Sequence, residues 1–167
     1  KGHRKTLYDE VLRTPLIVRC PKRLAAGRRI ADETRGIDVG PTLLDLAGLP
    51  AADDVVGQSL VPLASTPGGR NVGRAVSELF SVGRNQRTVR TLRWKLLDHI
   101  GTDEHFYFDL QGDPGEQRPL TDFDSELGKK ATFGYEAEIE SLNVFAQRHP
   151  VPAAEGASLS DPPAEIR

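Results

Sequence analysis

The residues best suited to chemistry stand at the start of the chain, where His3, Arg4 and Lys5 precede Thr6 and Asp9. Two cations and an imidazole together suit an anion. Arg grips a pair of anionic oxygens bidentately, Lys acts as a point charge that shares a proton more readily, and His hydrogen-bonds an oxygen or protonates it as a general acid. Thr6 followed three residues later by Asp9 has the form of a capping box, in which a hydroxyl accepts from a free helix N–H and an acid favours the positive helix end. On that reading the basic cluster sits just before a helix N-terminus, where unpaired N–H groups and the dipole already favour negative charge. Asp9 and Arg13 are spaced i, i+4, a surface ion pair worth about 0.3–0.5 kcal/mol, so their expected duty is structural.

Three other groupings invite chemistry and point to plainer roles. His99 and His105 flank Asp103 and Glu104, but no helix or strand spacing brings the four together as metal ligands, and a polar hairpin loop is the expectation. Arg84, Arg87, Arg90, Arg93 and Lys95 form a basic run beside Trp94, yet a spacing of three along a strand scatters side chains over both faces and argues against a nucleic-acid surface. Cys20 is the single cysteine, which excludes an internal disulfide, and it reads as a small apolar residue closing a buried strand.

The elements that must position these residues follow from local pattern. A helix starting near Thr6 has to be short, because Pro15 disfavours helical geometry at Thr14, and Leu16-Ile17-Val18-Arg19 suits a strand buried on both faces. Pro21 to Arg35 is rich in Arg, Ala and Gly and reads as a surface connection. Asp38 is expected to cap a helix with Pro41 early in it, an apolar face of Leu43, Leu44 and Ala47, and Gly48 as a left-handed stop before Pro50. Residues 64–73 have the composition of a solvent loop. Beyond it, Ala75–Phe80, Arg87–Thr91, Trp94–Asp98 and His105–Asp109 are short, closely spaced and β-rich, which predicts an antiparallel sheet of hairpins with a tight turn at Leu92-Arg93. Tyr135, Ile139, Leu142 and Ala146 mark one face of a helix over 135–148 that should pack on this sheet, with Tyr135 and Phe145 as core. From Val151 the tail is too poor in apolar mass to order itself.

At 167 residues a single domain can bury about 70% of the surface its unfolded chain exposes. A net charge of −2 with 28% charged residues does not describe a general nucleic-acid binder. No run approaches the roughly 18 apolar residues of a membrane helix. The absence of any Met is compatible with a piece of a longer protein, and a signal peptide would then belong to the part preceding Lys1, so the compartment stays unknown.

The block Gly2 to Val18 resembles a segment of the sulfatase family of the alkaline phosphatase superfamily, of the form Leu-Tyr-(Asp/Glu)-Glu-x-x-Arg-x-Pro-Leu-Ile behind a Gly-His or Lys. Three later segments are similar to landmarks of the same family in the same order. Gly36–Pro50 resembles its Pro-Thr-Leu-Leu-Asp-Leu-Ala-Gly helix, Val56–Leu63 its Gly-x-Ser-Leu-x-Pro-Leu loop, and Val89–Leu96 with Phe106–Glu116 its C-terminal sheet. The family nucleophile, a Cys or Ser in Cys/Ser-x-Pro-x-Arg that becomes formylglycine, is not here: Cys20 has Lys22 and Leu24 where the motif wants Pro and Arg. The acidic metal ligands and the Asp-His-Gly expected before Lys1 are missing as well.

The resemblance therefore implies a fold class of α/β, with the C-terminal end of an alkaline-phosphatase-like domain at 1–63, an antiparallel sheet and helix subdomain at 74–150, and a disordered tail at 151–167. It implies a C-terminal fragment of a sulfate-ester hydrolase acting on a sulfated small molecule or glycan. A divalent metal, calcium by resemblance, and formylglycine would serve the intact enzyme, with neither bound by this chain, which alone should be inactive. Family members with His at the position of His3 use it near the sulfate, so His3 ranks first as a catalytic donor, followed by Lys5 and then Arg4 as sulfate-binding cations. The usual Lys stands four residues before the aromatic, where this chain has Arg4 before Tyr8 and Lys5 one later. A phosphonate or phosphodiester hydrolase of the same superfamily and a non-catalytic interaction domain are the alternatives; oligomeric state is not legible.

Overall fold

The computed structural model describes residues 6–51, 54–66, 73–81 and 84–150. The expected tail at 151–167 lies outside them. The sheet forms as the strand signals require: β1 (Ala75–Ser81), β2 (Arg84–Arg90), β3 (Trp94–His99) and β4 (His105–Asp109) pair antiparallel in chain order. The β2–β3 turn is tied by Thr91, whose N–H donates to the Trp94 carbonyl at 2.8 Å while its hydroxyl oxygen accepts from Trp94 N–H at 2.9 Å. A side-chain bracket thus replaces the Asn-Gly chemistry that this turn lacks.

Register places Val89, Leu96 and Tyr107 opposite one another on one face, and Arg90, Lys95 and Phe108 opposite one another on the other. The first face is covered by α4 (Glu126–Arg148), forming a core of Val89, Trp94, Leu96, Tyr107 and Ala131 with Leu127, Tyr135 and Ile139 packed against it. The second face is buried too, since Thr88, Lys95, Leu97 and Phe108 are all fully enclosed. Leu120 pairs with Tyr107 through two backbone hydrogen bonds and shields the outer edge of β4.

Helix α4 begins nine residues before the expected 135. Ser125 caps it, accepting from Gly128 N–H at 3.0 Å. Gly128 and Gly134 weaken the helical pattern in the sequence, but each sits where a side chain has no room: a Cβ at Gly134 would lie 2.5 Å from Trp94 Cζ2, and one at Gly128 would lie 2.5 Å from the Asp122 carbonyl oxygen. Tyr135 and Ile139 face the sheet as expected, whereas Ala146 is exposed because the helix has by then run past the strands.

Upstream, α2 (Val39–Ala47) ends at Gly48, whose φ of 72° is the expected left-handed stop. Its start differs from expectation. A 3-10 turn, Gly36–Asp38, leads directly into it, and Asp38 caps that turn by accepting from Arg35 N–H at 2.9 Å. The side expected to be the apolar face is largely open, with Leu43 and Ala47 exposed, while Pro41 and Thr42 are buried under the following loop. That loop is latched onto the helix: Gln58 N–H donates to Asp38 at 3.0 Å, Ser59 Oγ to Asp45 at 2.6 Å and Leu60 N–H to Thr42 Oγ1 at 2.9 Å. Helix α3 (Val61–Ser65) then buries Val61 and Leu63.

The expected strand at Leu16–Arg19 does not form. The segment is extended, belongs to no ladder, and leaves Ile17 91% exposed. A strand needs a hydrogen-bonding neighbour, and no described segment supplies one. Cys20 likewise closes no strand; it is partly exposed, and its carbonyl accepts from Arg23 and Leu24 at the next turn.

Candidate functional site

His3, Arg4 and Lys5 lie outside the described residues. What is described is the segment that carries them into the fold. Helix α1 (Asp9–Leu12) has only four residues, a single turn that cannot hold itself in water. The capping expected of Thr6 is not made: Tyr8 is the N-cap residue, and Thr6 Oγ1 accepts from Tyr8 N–H at 3.3 Å as a local turn. Leu7 is buried, and the Tyr8 ring packs on Phe108 with centroids 5.8 Å apart.

The decisive contacts come from Asp9. Its expected i, i+4 partner Arg13 is exposed, and the carboxylate turns instead to the sheet. Arg90 Nε lies 3.0 Å from both carboxylate oxygens and Nη2 lies 2.8 Å from Oδ2. Lys95 Nζ lies 3.0 Å from Oδ1, 2.6 Å from Glu116 Oε1 and 6.0 Å from the Tyr8 ring centre. Asp9 N–H donates to Glu116 Oε2 at 2.7 Å, and Arg90 Nη1 reaches Glu33. Segments 86 and 107 residues away in sequence thus close on one residue, Lys95 on the Asp9 carboxylate and Glu116 on its backbone N–H.

Three carboxylates face two cations here, so the cluster carries one excess negative charge. Burial acts to raise the Asp9 carboxyl, but hydrogen bonds and charge from Arg90 and Lys95 prevail and bring its pKa down to about 2. Burial prevails at Glu33, against the charge of Arg90, and at Glu116, against Lys95, and both stay above the usual carboxylate range. Glu116 has φ 51°, the left-handed region, and is the one non-glycine there among the described residues. Its two carboxylate contacts offset a backbone cost of about 1–2 kcal/mol.

The other candidates do not converge. His99 Nδ1, at the end of β3, meets Glu104 Oε2 of the hairpin loop at 2.8 Å, while His105 packs on Phe123 with centroids 4.9 Å apart. The basic run divides as its spacing predicts: Arg87 pairs with Glu78, Arg90 with Asp9 and Glu33, and Arg93 with Asp109, while Lys95 is enclosed. Reading by local pattern missed Lys95, Glu33 and Glu116 as a unit. A lysine between Trp94 and Leu96 in an apolar strand was a signal for Lys95; nothing local marks the two acids.

Comparison with known proteins decides the family. Residues 3–132 match the family described as N-sulphoglucosamine sulphohydrolase, C-terminal. The chain belongs to the sulfatase family. An N-acetylglucosamine-6-O-sulfatase of Bacteroides thetaiotaomicron is 30% identical over 127 residues, covering 70% of this chain and 23% of that relative. Arylsulfatase K of Homo sapiens is 28% identical over 126 residues, covering 68% of this chain and 23% of its own length. Among solved structures, one in complex with its substrate D-glucosamine-2-N,6-O-disulfate superposes with a TM-score of 0.65 at 24% identity, over 80% of this chain and 29% of that one. A 2-O GAG sulfatase superposes with a TM-score of 0.50 at 26% identity, over 66% of this chain and 24% of that one. The sulfatase chain thus spans about a quarter of the length of the curated relatives it matches.

Seen as a sulfatase, the four landmark segments meet in pairs. The first joins the last through Asp9, Arg90, Lys95 and Glu116; the second joins the third through Asp38, Thr42 and Asp45. The described residues do not fit the cation implied by the sulfatase resemblance. No group of three or more His, Cys, Asp or Glu among them could hold a metal, and the carboxylates that converge, Asp9, Glu33 and Glu116, are each already paired with Arg90 or Lys95. Cys20 fails the formylglycine motif at Lys22 and Leu24. No described helix is long and apolar enough to cross a membrane.

Proposed function

We propose that the protein carrying this chain hydrolyses sulfate esters, and that the chain contributes His3 as the donor to the sulfate or leaving-group oxygen, with Lys5 and then Arg4 as cations on the sulfate. The observation that carries this reading is the extent of the family match: one continuous span from residue 3 to 132 holds the basic block and every later landmark in order. An imidazole can deliver a proton to a departing alkoxide or phenoxide, and neighbouring cations hold the sulfate oxygens while it does so. The nucleophile and the cation that the resemblance implies, formylglycine and calcium, belong in this reading to residues outside this chain. The substrate class is a sulfated small molecule or glycan. The name of the Bacteroides relative, an N-acetylglucosamine-6-O-sulfatase, favours a sulfated amino sugar.

The test is His3→Ala in the full-length protein. kcat and kcat/KM should fall together by about 10²–10⁴, as for a lost general acid, and the loss should shrink for aryl sulfates with acidic phenols, which need less protonation. A uniform rise in KM would make His3 a binding group only. Wild-type rates in His3→Ala beside a large loss in Lys5→Ala or Arg4→Ala would refute its assignment.

A further inference from the structure

The described segment that follows His3 and Lys5, Thr6 to Val18, has no regular structure of its own to hold position beyond a single helical turn, and Leu16 to Val18 join no ladder. Besides the burial of Leu7 and the packing of Tyr8 on Phe108, it is gripped at Asp9 by groups from three distant parts of the chain. The geometry points to Arg90, Lys95 and Glu116 as positioning residues that act through Asp9, fixing where the segment carrying the sulfate-contacting side chains stands relative to the sheet. This inference rests on the reading of His3 as a group that works on the sulfate.

Three features separate such a clamp from ordinary surface pairing. Lys95 is fully enclosed, and the Asp9 and Glu116 carboxylates it meets are 12% and 2% exposed, so the pairs escape the solvent screening that makes surface ion pairs weak. Asp9 is held in direction as well as by charge: Arg90 meets both carboxylate oxygens, Lys95 meets one of them, and Glu116 takes the backbone N–H, which leaves little freedom to rotate or slide. Glu116, at the end of a turn closed by its N–H on the Asp113 carbonyl, has a left-handed backbone that ordinarily favours glycine, and its carboxylate meets both Asp9 N–H and Lys95 from there. Asp9 lies six residues after His3 in sequence, and in this inference a shift at the clamp carries along the chain to the donor. A misplacement of about 1 Å at a reacting group can cost about 10²-fold in rate.

The experiment has two arms. In the 167-residue chain, trypsin should cut the Lys5–Thr6 bond roughly tenfold faster in Asp9→Asn than in wild type, because cleavage requires Leu7 and Tyr8 to leave their packing and the clamp opposes that opening. In the full-length protein, Asp9→Asn should lower kcat/KM by about 10–100-fold, with a steeper dependence on leaving-group pKa, and Asp9→Glu should recover most of the rate. A merely structural loss reduces the active fraction equally for every leaving group and leaves that dependence alone. Lys95→Met, measured in parallel, should reproduce the steeper dependence in whatever fraction folds. Unchanged trypsin resistance in Asp9→Asn, or a rate loss uniform across leaving groups, would overturn the inference. If His3→Ala itself has no effect, the catalytic reading fails, while the trypsin arm still decides whether the clamp exists.

Discussion

At the scale of single residues, the Asp9 cluster should make stability depend on pH in two opposite ways. Asp9 titrates near 2 in the folded chain against an ordinary 3.8, so its contribution is present above about 3.8 and is lost as pH falls toward 2. Glu33 and Glu116 are raised above 4.5, so the folded state takes up protons before the unfolded state does. Their strain at neutral pH is therefore relieved as pH falls through the raised values toward 4.5. The net result should be a melting temperature that rises from pH 7 toward 4.5 and drops below 3.8. Calorimetry across that range checks it. Glu116→Gln should flatten the rise, and a melting temperature that falls steadily from pH 7 to 4.5 would contradict the assignment.

At the scale of elements, α4 shows how packing overrides propensity. Alanine in place of an exposed helical glycine gains about 1 kcal/mol. At Gly134 the added Cβ would stand 2.5 Å from Trp94 Cζ2 and 2.8 Å from Cη2, and overpacking of a filled site costs about 1–3 kcal/mol. Gly134→Ala should therefore lower stability despite its better propensity. Ser125→Ala should cost about 1 kcal/mol as a lost cap, with a further penalty from Tyr107, whose hydroxyl lies 2.8 Å from Ser125 Oγ. Urea unfolding of the two variants beside wild type measures both effects, and a stabilised Gly134→Ala would show that the helix can move off Trp94.

At the scale of the whole molecule, coverage is uneven. Of the twelve large apolar side chains exposed among the described residues, eight, from Leu16 to Val55, lie in the first third of the chain. Exposed apolar surface of this kind drives association. The isolated chain should bind an apolar dye and self-associate with rising concentration, and Ile17→Lys with Leu43→Lys should reduce both without lowering the melting temperature. Size-exclusion with light scattering gives the answer: a dye-silent monomer at all concentrations would mean that these side chains find cover that the described fold does not show.

What the sequence determined by itself is the part set by neighbours along the chain. The short, closely spaced, β-rich runs place β1 to β4 within a few residues of where they form, with His105–Asp109 matching at both ends, because strand composition and the turns between runs are local signals. Gly48 announces its own left-handed stop, and the ordered landmarks announce the family before any coordinates. Tertiary structure decided the rest. Asp9 looked like half of a pair with Arg13 because four residues was the only distance local reasoning could measure; it chose Arg90 and Lys95, which approach from an enclosed sheet face where charge is screened less. The first turns of α4 were hidden by glycines whose purpose is contact with Trp94 and Asp122, residues far apart from them or outside the helix. Leu16 to Val18 carries the composition of a strand, but a strand is a relation between two segments, and composition states only half of it.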